Sequence, residues 1–510
     1  RPMSIESQLP AGLQSPVAER LQAAAGEHVV RRLWERDGTL WAPPGTPEVT
    51  DRLGWLDIAE RLSAEANDLK AFGAEVRDAG ITDAVLLGMG GSSLGPEVLR
   101  RSFGDGAIRL HVLDSTHPDE IRRVRDALDL ATTLFIVSSK SGGTIETMSQ
   151  FKYFHSLQGD GAHYVAVTDP GTSLAKLGAE HGFRRVFEND PDIGGRYSVL
   201  SYFGLVPAAI AGYDVGAVLA SAMEAMEACR AEQDNPGLEL GVALGELALQ
   251  GRDKLTFVVD DPLETFGLWA EQLVAESTGK EGRGILPIAD EPLVPAAEYG
   301  PDRVFLHVST GDVEIQGQVA ELAAAGHPIF TIDADGPAAL GHVFFLSEFA
   351  TAVAGWVLGI NPFDQPNVQE AKDNTKRVLD EGSPELEPGD AEALVGALEP
   401  PRYLAIMAYL PYENAVESGA ARYRERAVRR HHVATTFGYG PRFLHSTGQF
   451  HKGGPSVGAF LQIDDEPQED IQVPGEPYTF GTLIRAQADG DLQTLRSHGL
   501  DAVRAEREIL

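Results

Sequence analysis

Four short apolar runs, AVLLG (84–88), IRLHVL (108–113), TLFIVS (133–138) and HYVAVT (163–168), are separated by stretches long enough for one helix each. Runs this short suit buried strands, and the gaps suit crossover helices, so the pattern predicts a parallel sheet covered on both faces. After a helical block over 198–250 the rhythm restarts with KLTFVV (254–259), RVFLHV (303–308) and HPIFTI (327–332), which implies a second domain of the same class. Beyond a Pro/Gly/acid linker, EGSPELEPGD (381–390), the runs YLAIMAYL, HHVATTFGY and SVGAFLQI suggest a C-terminal α/β segment. A chain of 510 residues is long enough for two or three domains with cores of their own. The expected boundaries are a helical extension over 1–60, α/β domains over 61–235 and 236–395, and the C-terminal segment over 396–510.

The formal net charge of −34 repels a polyanion, so no nucleic-acid partner is expected. The arginine-rich run ARYRERAVRRHH (421–432) reads as a helix with its arginines on a solvated face. A single cysteine, Cys229, excludes an intramolecular disulfide and any multi-cysteine metal site, and it reads as core. The most apolar stretch, FFLSEFATAVAGWVLGI (344–360), carries Glu348 and reads as a buried helix, so no membrane partner is expected. The opening RPMSIESQLP lacks the basic-then-apolar layout of a secretory leader, and the expected location is cytoplasmic.

The chemistry lies at the ends of the strands, where doubly wound sheets hold their ligands. In AVLLGMGGSSLGPEVL, Gly88, Gly90 and Gly91 let backbone approach a ligand, and Ser92 and Ser93 precede a helix whose N-terminus favours an anion. A dinucleotide fingerprint is the competing reading, with Asp114 as the ribose acid, but Ser93 stands where that motif needs Gly or Ala. The stretch VSSKSGGTIET (137–147) makes a second anion loop, in which Ser139, Ser141 and Thr144 supply hydroxyls and Lys140 a positive charge. Either loop alone is as well explained by helix capping; the pair points to one phosphate. Arg196 in IGGRYSVLS stands where a guanidinium can steady an oxyanion, or simply cap a helix. Glu276 ends a helical stretch, where an acid opposes the macrodipole at a cost of about 0.3–1 kcal/mol, which favours a functional carboxylate over an ion pair to Lys280 or Arg283. Lys372 taken alone reads as solvent-facing, and His445 beside Ser446 and Thr447 as a hydrogen-bonded loop residue.

Together GMGGSSLGP, SSKSGGTIET, GGRYSVLS, AESTGKEG, NPFDQPNVQEAK and LHSTGQ resemble the phosphoglucose isomerase family, most closely the isomerase part of bifunctional transaldolase/phosphoglucose isomerases. The resemblance implies two doubly wound sugar-isomerase (SIS) domains in an α-β-α sandwich with a C-terminal α/β extension. It also implies a hexose 6-phosphate substrate, no cofactor and no metal, a homodimer, and covalent fusion to a transaldolase domain in a longer chain. Carried over residue by residue, Ser92, Ser139, Lys140, Ser141 and Thr144 bind the phosphate, and Glu276 moves the proton between C1 and C2. Arg196 steadies the enediolate and Lys372 and His445 open the ring, while Gly91, Glu146 and Gln449 contact substrate. Two departures stand out: LHSTGQ follows the lysine motif instead of preceding it, and Gly143 replaces a hydroxyl residue. His451 is a rival to His445. The alternatives are a non-catalytic SIS-type sugar-phosphate sensor and a dinucleotide-dependent oxidoreductase.

Overall fold

A computed structural model describes residues 4–510. Along the chain run β1 (Glu6–Gln8), β2 (Asp83–Leu87), β3 (Arg109–Leu113), β4 (Thr133–Ser138), β5 (Tyr164–Thr168) and β6 (Arg185–Glu188). They are followed by β7 (Lys254–Val259), β8 (Leu286–Ile288), β9 (Arg303–Ser309), β10 (Ile329–Asp333), β11 (Tyr403–Tyr409), β12 (Ala434–Tyr439), β13 (Gly458–Asp464) and β14 (Asp501–Glu506). The first sheet has the order β3-β2-β4-β5-β6, the second β8-β7-β9-β10 with β1 added antiparallel at its edge, and the third β12-β11-β13-β14. All other pairings are parallel. Counted within itself, each sheet therefore begins 2-1-3-4, one winding used three times.

The C-terminal α/β segment thus carries a third parallel sheet. The predicted runs sit on these strands to within three residues. The strands the sequence did not announce, β1, β6, β8 and β14, are short or half-exposed, as in the pattern of Arg185–Glu188 where only Phe187 is buried. Both faces of β2 and β4 are fully buried, which is why they read as unbroken apolar runs.

The helix Leu340–Leu358 lies in the core against Val215–Ala228 and Pro236–Leu249. Gly241 and Gly245 let the latter helix approach closely, since a Cβ at either would meet Val353 or Val357 at 2.6 Å. Glu348 is fully buried there without a hydrogen-bonding partner among the described residues, and burial pushes its carboxyl well above the usual range, which keeps it neutral. Cys229 packs in the same core, and burial pushes its thiol up to about 12. The arginine-rich helix is Asn414–His431, and one expectation fails on it: Arg424 is buried, donating to Thr435 and to the carbonyls of Ala289 and Asp290.

Candidate active site

The first sheet reverses its winding between β2 and β4, so the loops leaving these two strands lie side by side. After β2, Gly90 adopts a left-handed φ of +55°. Gly91 packs on the loop before Arg196 so closely that a Cβ would lie 1.9 Å from the Gly195 carbonyl oxygen. Gly91 is therefore a contact between two backbones. Ser92 closes this turn with a hydroxyl that makes no hydrogen bond among the described residues, whereas Ser93 donates to Asp114 at 3.0 Å. Asp114 also accepts from Tyr412 at 2.7 Å and is 1% exposed, so it is not free for a ribose, and the dinucleotide reading fails on geometry as well as on sequence.

After β4 the hydroxyls of Ser139 and Thr144 meet at 2.8 Å, and Ser139 and Ser141 accept from the N–H groups of Gly142 and Gly143. The loop ends at the N-terminus of the helix Ile145–Leu157, whose dipole adds to its preference for an anion. Lys140 does not face this loop: its ammonium is held by Asp169 at 2.5 Å and by the Pro191 carbonyl. The free cations are Lys372 and Lys376, which line a cavity of about 500 Å3 with Ser141, Thr144, Glu146 and His445 and make no ion pair among the described residues.

The helix Phe266–Thr278 presents Glu276 in its last turn. Arg196, 2% exposed, lies against it, with Nη1 at 3.4 Å from the carboxylate. Its other donors are fixed by Ser277 Oγ, Gln365 Oε1 and the carbonyls of Pro362 and Asp364. Lys280 clamps the same 361–364 loop through the Asn361 carbonyl and Asp364. Burial, and then the Arg196 charge, pull its ammonium down to about 7. Gln272, one turn before Glu276, donates to Glu276 at 3.1 Å and to the His445 carbonyl at 2.9 Å, tying the acid to the histidine loop.

His445 leaves the carboxyl end of β12 on the turn Arg442–His445, and its Nε2 meets Glu146 Oε1 at 2.7 Å. Burial alone pulls the imidazole down, but the Glu146 carboxylate outweighs it and leaves His445 raised. Glu146 shows the mirror effect: burial would raise it, and the His445 charge leaves it lowered. Gln487 completes the group by donating to Glu146 at 3.0 Å while accepting from Thr116. His451, the rival, is 3% exposed, bonded to Tyr403 at 3.0 Å, and pulled by burial down to about 3; it is a structural, neutral imidazole. Gln449 is also spent inside the protein, donating to Gly279 and Asn367 and accepting the Asn367 N–H at the start of the lysine-bearing helix Val368–Glu381.

Gln272 was legible as the residue four before Glu276 on one helix face. Gln487 carried no signal, arriving 341 residues after Glu146 in sequence.

A hydroxyl loop at the switch point of a parallel sheet shares a cavity with a carboxylate-supported histidine, which Gln272 ties to a carboxylate paired with a buried arginine, and these are the parts of a sugar-phosphate aldose–ketose isomerase. The family model for phosphoglucose isomerase matches residues 59–284. The glucose-6-phosphate isomerase of Rubrobacter xylanophilus is 31% identical over 409 residues, 68% of this chain and 91% of that protein. The glucose-6-phosphate isomerase of one Thermus thermophilus strain is 30% identical over 64% of this chain and 90% of its own length. Among solved structures, a hypothetical protein from Thermus thermophilus aligns with a TM-score of 0.63 at 27% identity, over 73% of this chain and 100% of that one. A glucose-6-phosphate isomerase from Chlamydia trachomatis shares the fold with a TM-score of 0.60 at 19% identity, over 71% of this chain and 86% of its own. The chain belongs to the phosphoglucose isomerase family.

Proposed function

We propose that this chain interconverts glucose 6-phosphate and fructose 6-phosphate through a cis-enediol, with Glu276 as the base that carries the proton between C1 and C2. The phosphate sits on the Ser139, Ser141 and Thr144 hydroxyls, with Ser92 closing the adjacent turn and Lys372 supplying charge that Lys140, engaged by Asp169, does not. Lys140 serves this loop through its backbone N–H, which donates to no other group among the described residues. Glu146 keeps His445 protonated, so His445 gives the ring oxygen its proton while Lys372 orients the neighbouring hydroxyl; Arg196 faces the enediolate as it forms.

The observation that carries this reading is the Gln272 amide, which spans Glu276 and the His445 carbonyl and so holds the proton-transfer carboxylate and the ring-opening histidine at one site. His445, Glu276 and Arg196 all come from the same chain. The homodimer expected from the resemblance is part of the proposal. A transaldolase module elsewhere on a longer native polypeptide and a cytoplasmic location belong to the same proposal. The test is turnover of fructose 6-phosphate in EDTA, read through a coupled dehydrogenase. Rapid chelator-resistant turnover supports the proposal. Binding of the sugar phosphate without turnover would instead favour the sensor.

A further inference from the structure

A second cavity, of about 470 Å3, lies apart from the one just described. It opens where the carboxyl ends of strands from all three sheets converge: β3 brings Asp114, β8 Asp290 and β12 Tyr439 and Arg442, while Tyr412 follows β11. Open α/β sheets bind their ligands in crevices at strand carboxyl ends, so this is the place where a ligand is expected on fold grounds.

Most of its charged groups are already satisfied. Arg100 is bound by Glu97 at 2.7 and 2.8 Å, Arg424 is saturated by the carbonyls and threonine described above, and Asp114 accepts from Ser93 and Tyr412. Five groups are not, the first being Glu264, whose Oε2 is buried without a hydrogen-bonding partner among the described residues. Glu271, 5% exposed, makes no hydrogen bond among the described residues although its carboxyl lines the cavity. Arg442 makes none either, its nearest carboxylate oxygen being 3.8 Å away on Asp114; its guanidinium lies over the rings of Tyr412 and Tyr439. Arg101 comes only within 3.9 Å of Glu97, and Asp290 is bonded through its backbone alone. Burial pushes Glu271 up to about 8 against the pull of Arg424, so at neutral pH its carboxyl is a donor as well as an acceptor. A buried polar group without a partner costs on the order of 1–3 kcal/mol, and a ligand that supplies the partner recovers it.

We infer that this cavity is a second ligand site, separate from the isomerase site, for a small anionic polyol. The free guanidiniums of Arg101 and Arg442 take the phosphate or carboxylate, the carboxyls of Glu271 and Asp290 take hydroxyls, and the paired tyrosine rings give the carbon chain a face to lie on. The free cations alone call for any anion and the free carboxyls alone for any hydroxyl donor; a molecule carrying both satisfies the two kinds together. The site touches both catalytic elements. Glu271 lies on the helix that carries Glu276 but five residues earlier, on a different face, and Arg442 opens the turn that ends in His445.

The test is equilibrium titration of the full chain with sorbitol 6-phosphate, which has no carbonyl to isomerise, and in parallel with gluconate. Two equivalents of sorbitol 6-phosphate are expected to bind. One should be weakened by Ser139→Ala with Thr144→Ala. The other should survive those changes and weaken at least tenfold in Arg101→Gln, about the worth of one charge-assisted hydrogen bond. Glu271→Leu, which removes both the donor and the acceptor, should weaken it too, while Arg101→Gln, at a half-exposed position outside the isomerase site, keeps wild-type turnover. Filling of the second site by gluconate, lost in Arg101→Gln, upholds the inference equally. A single equivalent of sorbitol 6-phosphate with no gluconate binding, or a second equivalent indifferent to Arg101→Gln, overturns it.

Discussion

Gly91→Ala tests how tightly the site's geometry is set. The added methyl would lie 1.9 Å from the Gly195 carbonyl oxygen and 2.3 Å from its carbon, about 1.5 Å short of an ordinary 3.4 Å contact. Both obstructing atoms are backbone, so no side chain can swing aside. The two loops must part, and the residue after Gly195 is Arg196, whose guanidinium is pinned by Ser277, Gln365 and two carbonyls. Overpacking of this kind costs about 1–3 kcal/mol, and misplacing a catalytic group by about 1 Å lowers turnover on the order of a hundred-fold. Turnover of fructose 6-phosphate by coupled dehydrogenase, with urea unfolding of the same sample, reads both. Gly194→Ala is the control on the same turn, because its Cβ would meet only Arg52 Cδ at 3.7 Å. If Gly91→Ala kept kcat within threefold of wild type and its unfolding midpoint unchanged, the close backbone contact would not be what positions Arg196.

Ser139→Ala with Thr144→Ala should raise KM by more than it lowers kcat, because the phosphate is held alike in ground and transition state; steady-state kinetics read the split. His445→Ala should slow turnover of the cyclic sugar, whereas His451→Ala should leave kcat intact and cost about 1–3 kcal/mol of stability by orphaning the buried Tyr403 hydroxyl. Glu146→Gln should reshape stability against pH. His445 is raised above 6.5, so its share of the pair is complete below pH 6.5 and fades as pH rises through the raised value. Glu146 is lowered below 4.5, so its share is complete above pH 4.5 and fades as pH falls through the lowered value. Urea unfolding across this range should find the gap between wild type and Glu146→Gln widest between pH 4.5 and 6.5; a gap that did not vary with pH would contradict the ion pair.

The strands that read cleanly are those buried on both faces, such as β2 and β4, because an unbroken apolar run has no other use at that length. β6 and β14 escaped because each keeps exposed residues among its buried ones, leaving no distinctive period. The hydroxyl loop and Glu276 were legible from local physics, as glycine and hydroxyl density before a helix and as an acid set against a helix dipole. Lys140 misled because charge in a loop says nothing of direction: Asp169, 29 residues on, turns the ammonium away. The choice between His445 and His451 was undecidable locally, since both follow the same strand; only the fold buries one against Tyr403 and sets the other on Glu146. Arg424 shows the opposite failure, a residue in a polar helix drawn inside by the Ala289 and Asp290 carbonyls that follow β8.

The most direct test of the account is the effect of Glu276→Gln on fructose 6-phosphate turnover. The substitution keeps the shape of the side chain and removes the base, and its one amide oxygen can accept from Arg196 or from Gln272 but not from both. With Glu276 as the base, kcat should fall at least about a thousand-fold with KM changed only a few-fold, the size expected when a unique acid–base group is removed. A variant that kept more than a tenth of wild-type kcat would contradict it, and the proton would have to travel by another group.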